Sequence, residues 1–298
     1  MTAEELDLLA TSIDDSFFLI GVGVLIYELL RGLANNSLGK QRVLDMLTSV
    51  STQLPSFLIQ VFVIGFAYLG YLKLSDSLIG WTFSINGWTI LAAVLACDFV
   101  YYWEHRCSHV IRLLWTQHAV HHSSRFMNIA VAARFGPLEG VASAVLHLPL
   151  IIIGFPPALV FFGIVTVLAY QTWLHTETIG RLGMLEKLLN TPSNHRVHHG
   201  CDEKYLDKNY GGILIIWDRM FGSYQSEEET PRYGLKRDFN ALNPFHVCFS
   251  EIPGLYRDVR DAPSVKQAMM HLFAHPSWTP ESGNQTPVAT SKIPSKVL

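Results

Sequence analysis

The sequence predicts an all-α integral membrane protein with about five transmembrane helices and a histidine-rich helical cap on the cytoplasmic side. Three observations predict it: an apolar composition, a series of long apolar stretches, and three short histidine clusters. Hydrophobic residues make up 49% of the 298 residues and charged residues only 16%, against roughly 25% charged residues in an ordinary soluble domain. The mean hydropathy is +0.24. The net charge of −3 gives no reason to expect nucleic acid as a partner.

The apolar stretches set the predicted spans. A helix needs about 20 mostly apolar residues to cross a bilayer. The first span runs from Ser16 to about Leu33, the second from Leu54 to about Leu72, and the third from Trp88 to Tyr102. Another apolar region lasts from Pro137 to about Trp173 and is interrupted at residues 154–157, Gly-Phe-Pro-Pro. This interruption predicts a tight hairpin of two spans.

Basic residues set the predicted orientation. The loop at 31–52 and the region 104–136 are rich in Lys and Arg, whereas the N-terminus and the loop at 74–87 are not. Because cytoplasmic loops carry the excess of basic residues, the N-terminus is expected outside and the histidine clusters in the cytoplasm. We divide the chain into a membrane region at 1–97, a histidine-containing region at 98–224 and a cytoplasmic tail at 225–298. The last roughly 20 residues, rich in Ser, Thr and Pro, are expected to be disordered.

The histidine clusters have spacings that suit metal binding. Positions i, i+3 and i+4 share one face of a helix, so the imidazoles of each cluster can point the same way. Imidazole suits iron, zinc, copper and nickel. One closed tetrahedral zinc site needs four ligands, so eight histidines are too many for one metal and about right for two. The clusters are His105 and His109; His118, His121 and His122; and His195, His198 and His199.

Four further residues are weighed as ligands. His175 follows the last predicted span on the side where the clusters gather, so it is a ninth candidate ligand or a partner that orients one. His147 lies far along a span and is interpreted as a packed or cavity-facing residue. Cys107 and Cys201 lie beside the clusters and could be soft ligands, but ordinary small-residue roles are favoured because no CxxC pair accompanies them.

The order HxxxH, HxxHH, HxxHH after membrane spans resembles the fatty acid hydroxylase/sterol desaturase superfamily of integral-membrane di-iron oxygenases. Longer strings resemble its alkylglycerol monooxygenase branch, from about Asp98 to Tyr224. Asn194 departs from the pattern, since close relatives often have a further histidine there, and the animal alkylglycerol enzymes are longer. The strings are DFVYYWEHRCSH, HAVHHSSRFMN, WLHTETIG, LLNTPSNHRVHHG and DKNYGGILIIWDRMFGSY.

The resemblance implies a catalytic domain at 98–224 in which two irons support O₂-dependent oxidation of a lipid. Glu177 and Asp218 are the catalytic candidates. Together with Asp98 and Glu104 they are candidates to orient imidazole N–H groups, and a purely structural hydrogen-bonding role is as plausible for each. The implied iron ligands are the eight clustered histidines and His175.

The source of electrons is left open. The sequence has no Rossmann GxGxxG after a strand, no P-loop and no haem-attachment CxxCH. Electrons are therefore expected from a partner protein or a diffusible reductant, and the alkylglycerol resemblance implies tetrahydrobiopterin, although no pterin-binding motif can be read. A sterol-type desaturase and another lipid hydroxylase are alternatives within the superfamily. A non-redox zinc-binding membrane hydrolase is the alternative of another class; a metal-binding transporter subunit is disfavoured because the histidines lie outside the spans.

Overall fold

A computed structural model describes residues 2–237 and 239–282. Within these ranges the chain is helical and forms no strand, only two isolated bridges at Leu189–Leu214 and Gly200–Tyr233. The predicted all-α class is confirmed, whereas the predicted disorder of the C-terminal end falls almost wholly outside the described residues. The α-helices are α1 (Ala3–Ala34), α2 (Lys40–Ser51), α3 (Gln53–Leu74), α4 (Gly87–Val110), α5 (Arg112–His122), α6 (Glu139–Leu146), α7 (Leu148–Ile152), α8 (Pro157–Gln171), α9 (Pro192–His198), α10 (Ile216–Phe221), α11 (Pro244–Phe249), α12 (Ile252–Arg260) and α13 (Val265–Phe273).

Three stretches of helix in the described part are long and apolar enough to cross a membrane: Glu4–Ala34, Lys40–Ser77 and Pro157–Leu174. They contain α1, α2 with α3, and α8. Large apolar side chains cover their outer surfaces, and Phe66 on α3 is 73% exposed, as expected of a surface that faces lipid. The predicted third span lies in α4 and the predicted fourth in α6 and α7; neither is among these three stretches.

The helices place the histidines at one end of the bundle. At that end the hydroxyl of Ser56, near the start of α3, donates to the carbonyl of Phe135 at 2.7 Å. At the other end the loop before α4 meets the turn before α8, where the Phe83 N–H donates to the carbonyl of Gly154 at 2.9 Å. Gly154 has a φ of 100°, which a residue with a Cβ rarely adopts. The hairpin predicted at residues 154–157 thus turns at the end away from the histidines.

Helices α4 and α8 pack closely because Gly163 has no side chain. A Cβ at this position would lie 2.5 Å from Cys97 Sγ and 3.1 Å from the carbonyl oxygen of Ala93. The close approach buries Cys97 and Ala93 completely. It also fixes α4, which carries the first histidine cluster, against α8, which leads to His175.

The C-terminal helices pack against the histidine-bearing end. Arg112, at the start of α5, donates to the Asp258 carboxylate of α12 at 2.5 Å. Arg134 is fully buried, forms an ion pair of 2.8 Å with Asp45 of α2, and donates to the carbonyl of Ala241 at 2.6 Å. These contacts hold residues 241–273 against the frame of the site.

Candidate metal centre

Nine buried imidazoles meet at one end of the bundle in two groups. Within each group one ligand atom per residue lies within 4.8 Å of the others, so each group could hold a metal ion. The groups contain no cysteine or carboxylate ligand, and they join all eight clustered histidines with His175. The first group is His105, His109, His118, His122 and His198, and the second is His121, His175, His195 and His199.

A break between α4 and α5 brings the first two clusters together. Ile111 has extended backbone angles, φ −110° and ψ 114°, which end α4. The Arg112 N–H then donates to the carbonyl of Ala274 at 3.0 Å rather than to α4. The chain turns at this point, so His118 of α5 faces His105 of α4 with their Nε2 atoms 3.0 Å apart.

A short capped helix presents the third cluster. Thr191 precedes α9, and its side chain accepts from the Asn194 N–H at 3.4 Å, while Pro192 occupies the first turn, where no N–H partner is needed. His195 and His199 lie one turn apart, with Nε2 atoms separated by 3.1 Å. Because HxxHH places its first and last histidines at i and i+4, both reach the second group.

The Nε2 atoms face one another at nearly equal distances. Six pairs of neighbouring Nε2 atoms, three in each group, are separated by 2.9–3.2 Å. Two nitrogens bound to one metal at about 2.1 Å, at right angles, are about 3.0 Å apart. The spacing of the imidazoles therefore fits common metal ions.

In four of the nine rings Nδ1 meets a backbone carbonyl, and this contact fixes the tautomer. Because a backbone carbonyl can only accept a hydrogen bond, each Nδ1 that meets one carries the hydrogen, and the Nε2 of that neutral ring carries a lone pair. The carbonyls and distances are Tyr210 at 2.9 Å from His105, Arg134 at 3.1 Å from His121, Gln171 at 3.1 Å from His175 and Lys208 at 2.9 Å from His198.

His121 and His175 show why these contacts require a cation. Their Nε2 atoms are 3.1 Å apart, yet both rings already donate through Nδ1. Two neutral rings in this state direct lone pairs at each other, and only protonation or a metal ion makes the contact favourable. Burial opposes protonation: it lowers the pKa of His175 to about 4 and that of His121 well below the usual value.

Two carboxylates that the sequence interpretation did not single out contact the imidazoles. Glu139 Oε1 lies 2.7 Å from His118 Nδ1, and Asp207 Oδ1 lies 3.4 Å from His109 Nδ1. Burial acts to raise the pKa of Asp207, but hydrogen bonds from His109 and His275 outweigh it and lower that pKa. Glu139 is the first residue of α6, at the start of the apolar hairpin that follows the second cluster, and this position is the available signal for its role.

Four acidic residues were predicted from the sequence as partners of the imidazoles. In the described part of the chain, three of them form hydrogen bonds or ion pairs with other groups. Asp98 accepts from Ile213 N–H, Leu214 N–H and Trp217 Nε1. Asp218 accepts from Tyr210 N–H, Gly211 N–H and the Ser223 hydroxyl. Asp218 thereby fixes the loop whose Tyr210 carbonyl accepts from His105. Glu177 forms an ion pair of 3.3 Å with Arg42.

The fourth acidic residue, Glu104, lies 3.7 Å from the imidazole of His147. His147 is buried, donates through Nδ1 to the carbonyl of Ser143 at 2.9 Å, and belongs to neither histidine group. Glu104 and His147 thus form a buried polar pair beside the centre.

The fatty acid hydroxylase family model matches residues 90–223. This range holds all nine converging histidines. Residues 90–223 are therefore similar to the fatty acid hydroxylase family. Alkylglycerol monooxygenase of Danio rerio is 34% identical over 263 residues, which is 87% of this chain and 58% of the relative. Alkylglycerol monooxygenase of Homo sapiens is 36% identical over 243 residues, or 80% of this chain and 54% of the relative.

Similarity extends to a bacterial lipid hydroxylase. An ornithine lipid hydroxylase of Rhizobium tropici is 32% identical over 139 residues, 46% of this chain and 41% of that protein. The chain spans a little over half the length of the two alkylglycerol monooxygenases named above. No solved structure matches it.

The region that matches the family model departs from the superfamily pattern at Asn194 without losing a member of either histidine group. Asn194 is buried, and its side-chain amide donates to the carbonyls of Glu186 and Leu189 at 3.3 and 3.2 Å. The backbone carbonyl of Asn194 accepts from the side-chain amide of Asn209 at 2.9 Å. Asn194 therefore joins the loops on either side of α9.

Proposed function

We propose that this chain is a membrane-bound, O₂-dependent lipid monooxygenase that uses two iron ions. The observation that carries the proposal is the set of nine buried imidazoles, divided five and four, in which the Nε2 atoms of eight rings face one another at 2.9–3.2 Å. The match to the fatty acid hydroxylase family model and the similarity to lipid-oxidising relatives support the same reaction class. The proposed ligands are His105, His109, His118, His122 and His198 for one iron, and His121, His175, His195 and His199 for the other.

The donor set favours iron over zinc. A catalytic zinc typically has three protein ligands and one open position, whereas these groups offer five and four imidazoles. Iron bound there would supply the redox chemistry with O₂ that attacks an unactivated C–H bond, which no side chain supplies. A zinc hydrolase is therefore the weaker alternative.

The chain's own residues hold the ligands for this chemistry. Carbonyl groups of Tyr210, Arg134 and Lys208 accept from Nδ1 and so keep the rings neutral, with the lone pair on Nε2. Asp218 supports the Tyr210 carbonyl through the backbone. Glu139 supplies a carboxylate to His118 Nδ1, which orients that imidazole. Asp218 thus acts in this proposal as a positioning residue, and Glu177 as a residue outside the metal centre.

The net reaction defines what must be supplied. A monooxygenase inserts one oxygen atom of O₂ into a C–H bond and reduces the other to water, using two electrons and two protons. At a carbon next to an ether oxygen, hydroxylation gives a hemiacetal that collapses to an aldehyde and an alcohol. We propose a 1-O-alkylglycerol as substrate, because the relatives named alkylglycerol monooxygenase align with most of this chain. The electrons are proposed to come from tetrahydrobiopterin or a protein donor.

The proposed arrangement in the membrane has five crossings with the histidines on the cytoplasmic face. The contact between Phe83 and Gly154 at one end, and the histidines at the other, support α4 and the α6–α7 segment as the third and fourth crossings. Reporter insertions after Asp76 and after Glu228 are expected to report opposite compartments. Reporters in the same compartment would contradict five crossings.

Reconstitution tests the reaction. The purified protein, loaded with iron without oxygen, should bind two irons and then consume O₂ and an alkylglycerol on addition of tetrahydrobiopterin, releasing a fatty aldehyde. His198→Ala should abolish product formation while the protein still inserts into membranes. His246→Ala, which removes an exposed histidine outside the centre, is the matched control and should retain activity. Full activity of His198→Ala, or hydrolytic activity with zinc alone, would refute the di-iron assignment.

A further inference from the structure

A small polar cavity lies between the end of α1, the start of α2 and the segment that follows His175. Its volume is about 240 Å³, below the roughly 300–1,000 Å³ of pockets that enclose a drug-sized ligand. Its polar lining includes Glu28, Arg42, Asn128 and Glu177. We call this cavity the Asn128 pocket.

The Asn128 pocket contains buried donors without a partner. Asn128 is 4% exposed. Its Oδ1 accepts from the Ala130 N–H at 3.1 Å, but its Nδ2 has no hydrogen-bond partner among the described residues, and neither has the buried Nε of Arg42. Since buried donors are nearly always paired, each of these two atoms requires an acceptor, which a water molecule or a bound ligand can supply.

The pocket adjoins the metal centre. Thr176 follows the second-group histidine His175, and its hydroxyl donates to Oε1 of Glu28. The Ile129 N–H donates to the other carboxylate oxygen of Glu28 at 3.1 Å. Glu28 belongs to α1, one of the stretches long enough to span a membrane. A lipid chain lying along α1 can therefore place its polar end in the pocket, close to a proposed iron ligand.

The charges around the pocket favour a neutral occupant. Two carboxylates and two guanidinium groups line it, from Glu28, Glu177, Arg31 and Arg42, and Arg42 is already paired with Glu177. These four charges cancel, so a phosphate would bring further negative charge next to two carboxylates without a net positive charge to balance it. A hydroxyl group can accept from Asn128 or Arg42 and donate to a carboxylate.

We propose that the Asn128 pocket binds the neutral, hydroxyl-bearing headgroup of the lipid substrate. Asn128 Nδ2 and Arg42 Nε donate to its hydroxyl oxygens, and Glu28 and Glu177 accept from its hydroxyl hydrogens. The pocket selects a free diol over a phosphorylated headgroup. This inference rests on the proposed function, because it names the substrate recognition of the same site.

Binding measurements on the full-length, metal-loaded protein test the inference without turnover. A long-chain 1-O-alkylglycerol and its headgroup-phosphorylated counterpart are titrated under anaerobic conditions, with free glycerol as a separate competitor. The diol lipid should bind more tightly than the phosphorylated lipid. Free glycerol should compete only at much higher concentration, since it lacks the chain. Equal or tighter binding of the phosphorylated lipid would overturn the inference.

Asn128→Ser isolates the donor. Serine is about as good a cap as asparagine, so its hydroxyl can still accept from Ala130 N–H while Nδ2 is lost. Loss of one hydrogen bond should weaken diol binding roughly three- to tenfold. The control is Asn240→Ser, because the exposed Asn240 makes the same kind of contact, accepting from Leu242 N–H at 3.1 Å. Arg42→Lys keeps the charge opposite Glu177, removes Nε, and should also weaken binding.

These binding measurements test the assignment of the Asn128 pocket separately from the proposed reaction. If Asn128→Ser and Arg42→Lys bind the diol lipid as well as the unchanged protein does, the pocket assignment is wrong even where ether cleavage proceeds. If both variants bind it more weakly and Asn240→Ser does not, the pocket stands. If the iron-loaded protein then fails to oxidise the lipid, that failure contradicts the proposed reaction and leaves the pocket assignment unchanged.

Discussion

The Nε2 atoms of His121 and His175 lie 3.1 Å apart, while the Nδ1 of each ring faces a backbone carbonyl, that of Arg134 or Gln171. Neither Nε2 of a neutral pair can donate to the other. The second group also contains His195, whose Nε2 is 2.9 Å from that of His175, and His199. His175 therefore lies between two other imidazoles of its group, in the position expected of a ligand.

His175→Ala should lower the metal content from two ions to near one per chain and abolish lipid oxidation, because it leaves three imidazoles in the second group. Loss of a partner that only orients a ligand typically costs about 10- to 100-fold in affinity or activity. Metal analysis of purified protein at saturating iron makes the measurement, with His246→Ala as the control. Retention of both metals with partial turnover would place His175 outside the ligand set.

Glu139 should affect metal binding by the first, five-histidine group. Glu139→Leu removes the carboxylate that meets His118 Nδ1 and should lower the metal affinity of the five-histidine group by about 10- to 100-fold. Glu139→Gln keeps an oxygen that can accept from Nδ1 and should lower it much less. Competition with a metal chelator measures both affinities. Equal affinity of the two variants would show that the carboxylate does not orient the imidazole.

Spacing predicted the histidine groups better than it predicted their supporting contacts. The repeated i, i+3 and i+4 positions identified all eight clustered histidines, and chain direction added His175. The division into five and four could not be read from the sequence, since His121 and His122 are neighbours yet join different groups. That division depends on the angle at which α5 meets α4 after Ile111, which is set by tertiary packing.

The supporting carboxylates were harder to predict for the same reason. Asp218 is a predicted partner of an imidazole, but its hydrogen bonds go to the Tyr210 loop and to Ser223. Glu177 is also a predicted partner, but it pairs with Arg42. Glu139 meets His118 of the second cluster because the apolar hairpin, which begins with α6, packs beside α5. Three of the five spans predicted from hydropathy lie in long apolar stretches of the structure, whereas the predicted third and fourth spans lie in α4 and in α6 and α7, which pack against those stretches.

Gly163→Ala should destabilise the bundle. Its added Cβ would meet Cys97 Sγ at 2.5 Å, and overpacking of this kind costs about 1–3 kcal/mol. Gly65→Ala is the matched control on α3, because nothing lies within 4 Å of its added Cβ and alanine favours helix. Thermal unfolding in one detergent compares them. Adding Cys97→Ala should recover part of the lost stability, and an unchanged melting temperature for Gly163→Ala would contradict the close α4–α8 packing.

Acidification should destabilise the metal-free protein. Burial lowers the pKa of His109 and of His175 to about 4, whereas an unfolded histidine has a pKa of about 6.5. Between these values the unfolded chain binds protons that the folded chain does not, so stability present above about pH 6.5 is lost as the pH falls toward about 4.

The melting temperature of the metal-free protein, measured from about pH 7.5 to about 5, tests this expectation while most carboxylates remain ionised. It should fall through the window, and metal-loaded protein should release metal there because protons compete for Nε2. The metal-loaded protein should lose stability only where metal release begins. A melting temperature of the metal-free protein that stays constant across the window would mean that His109 and His175 are not held neutral in the folded state.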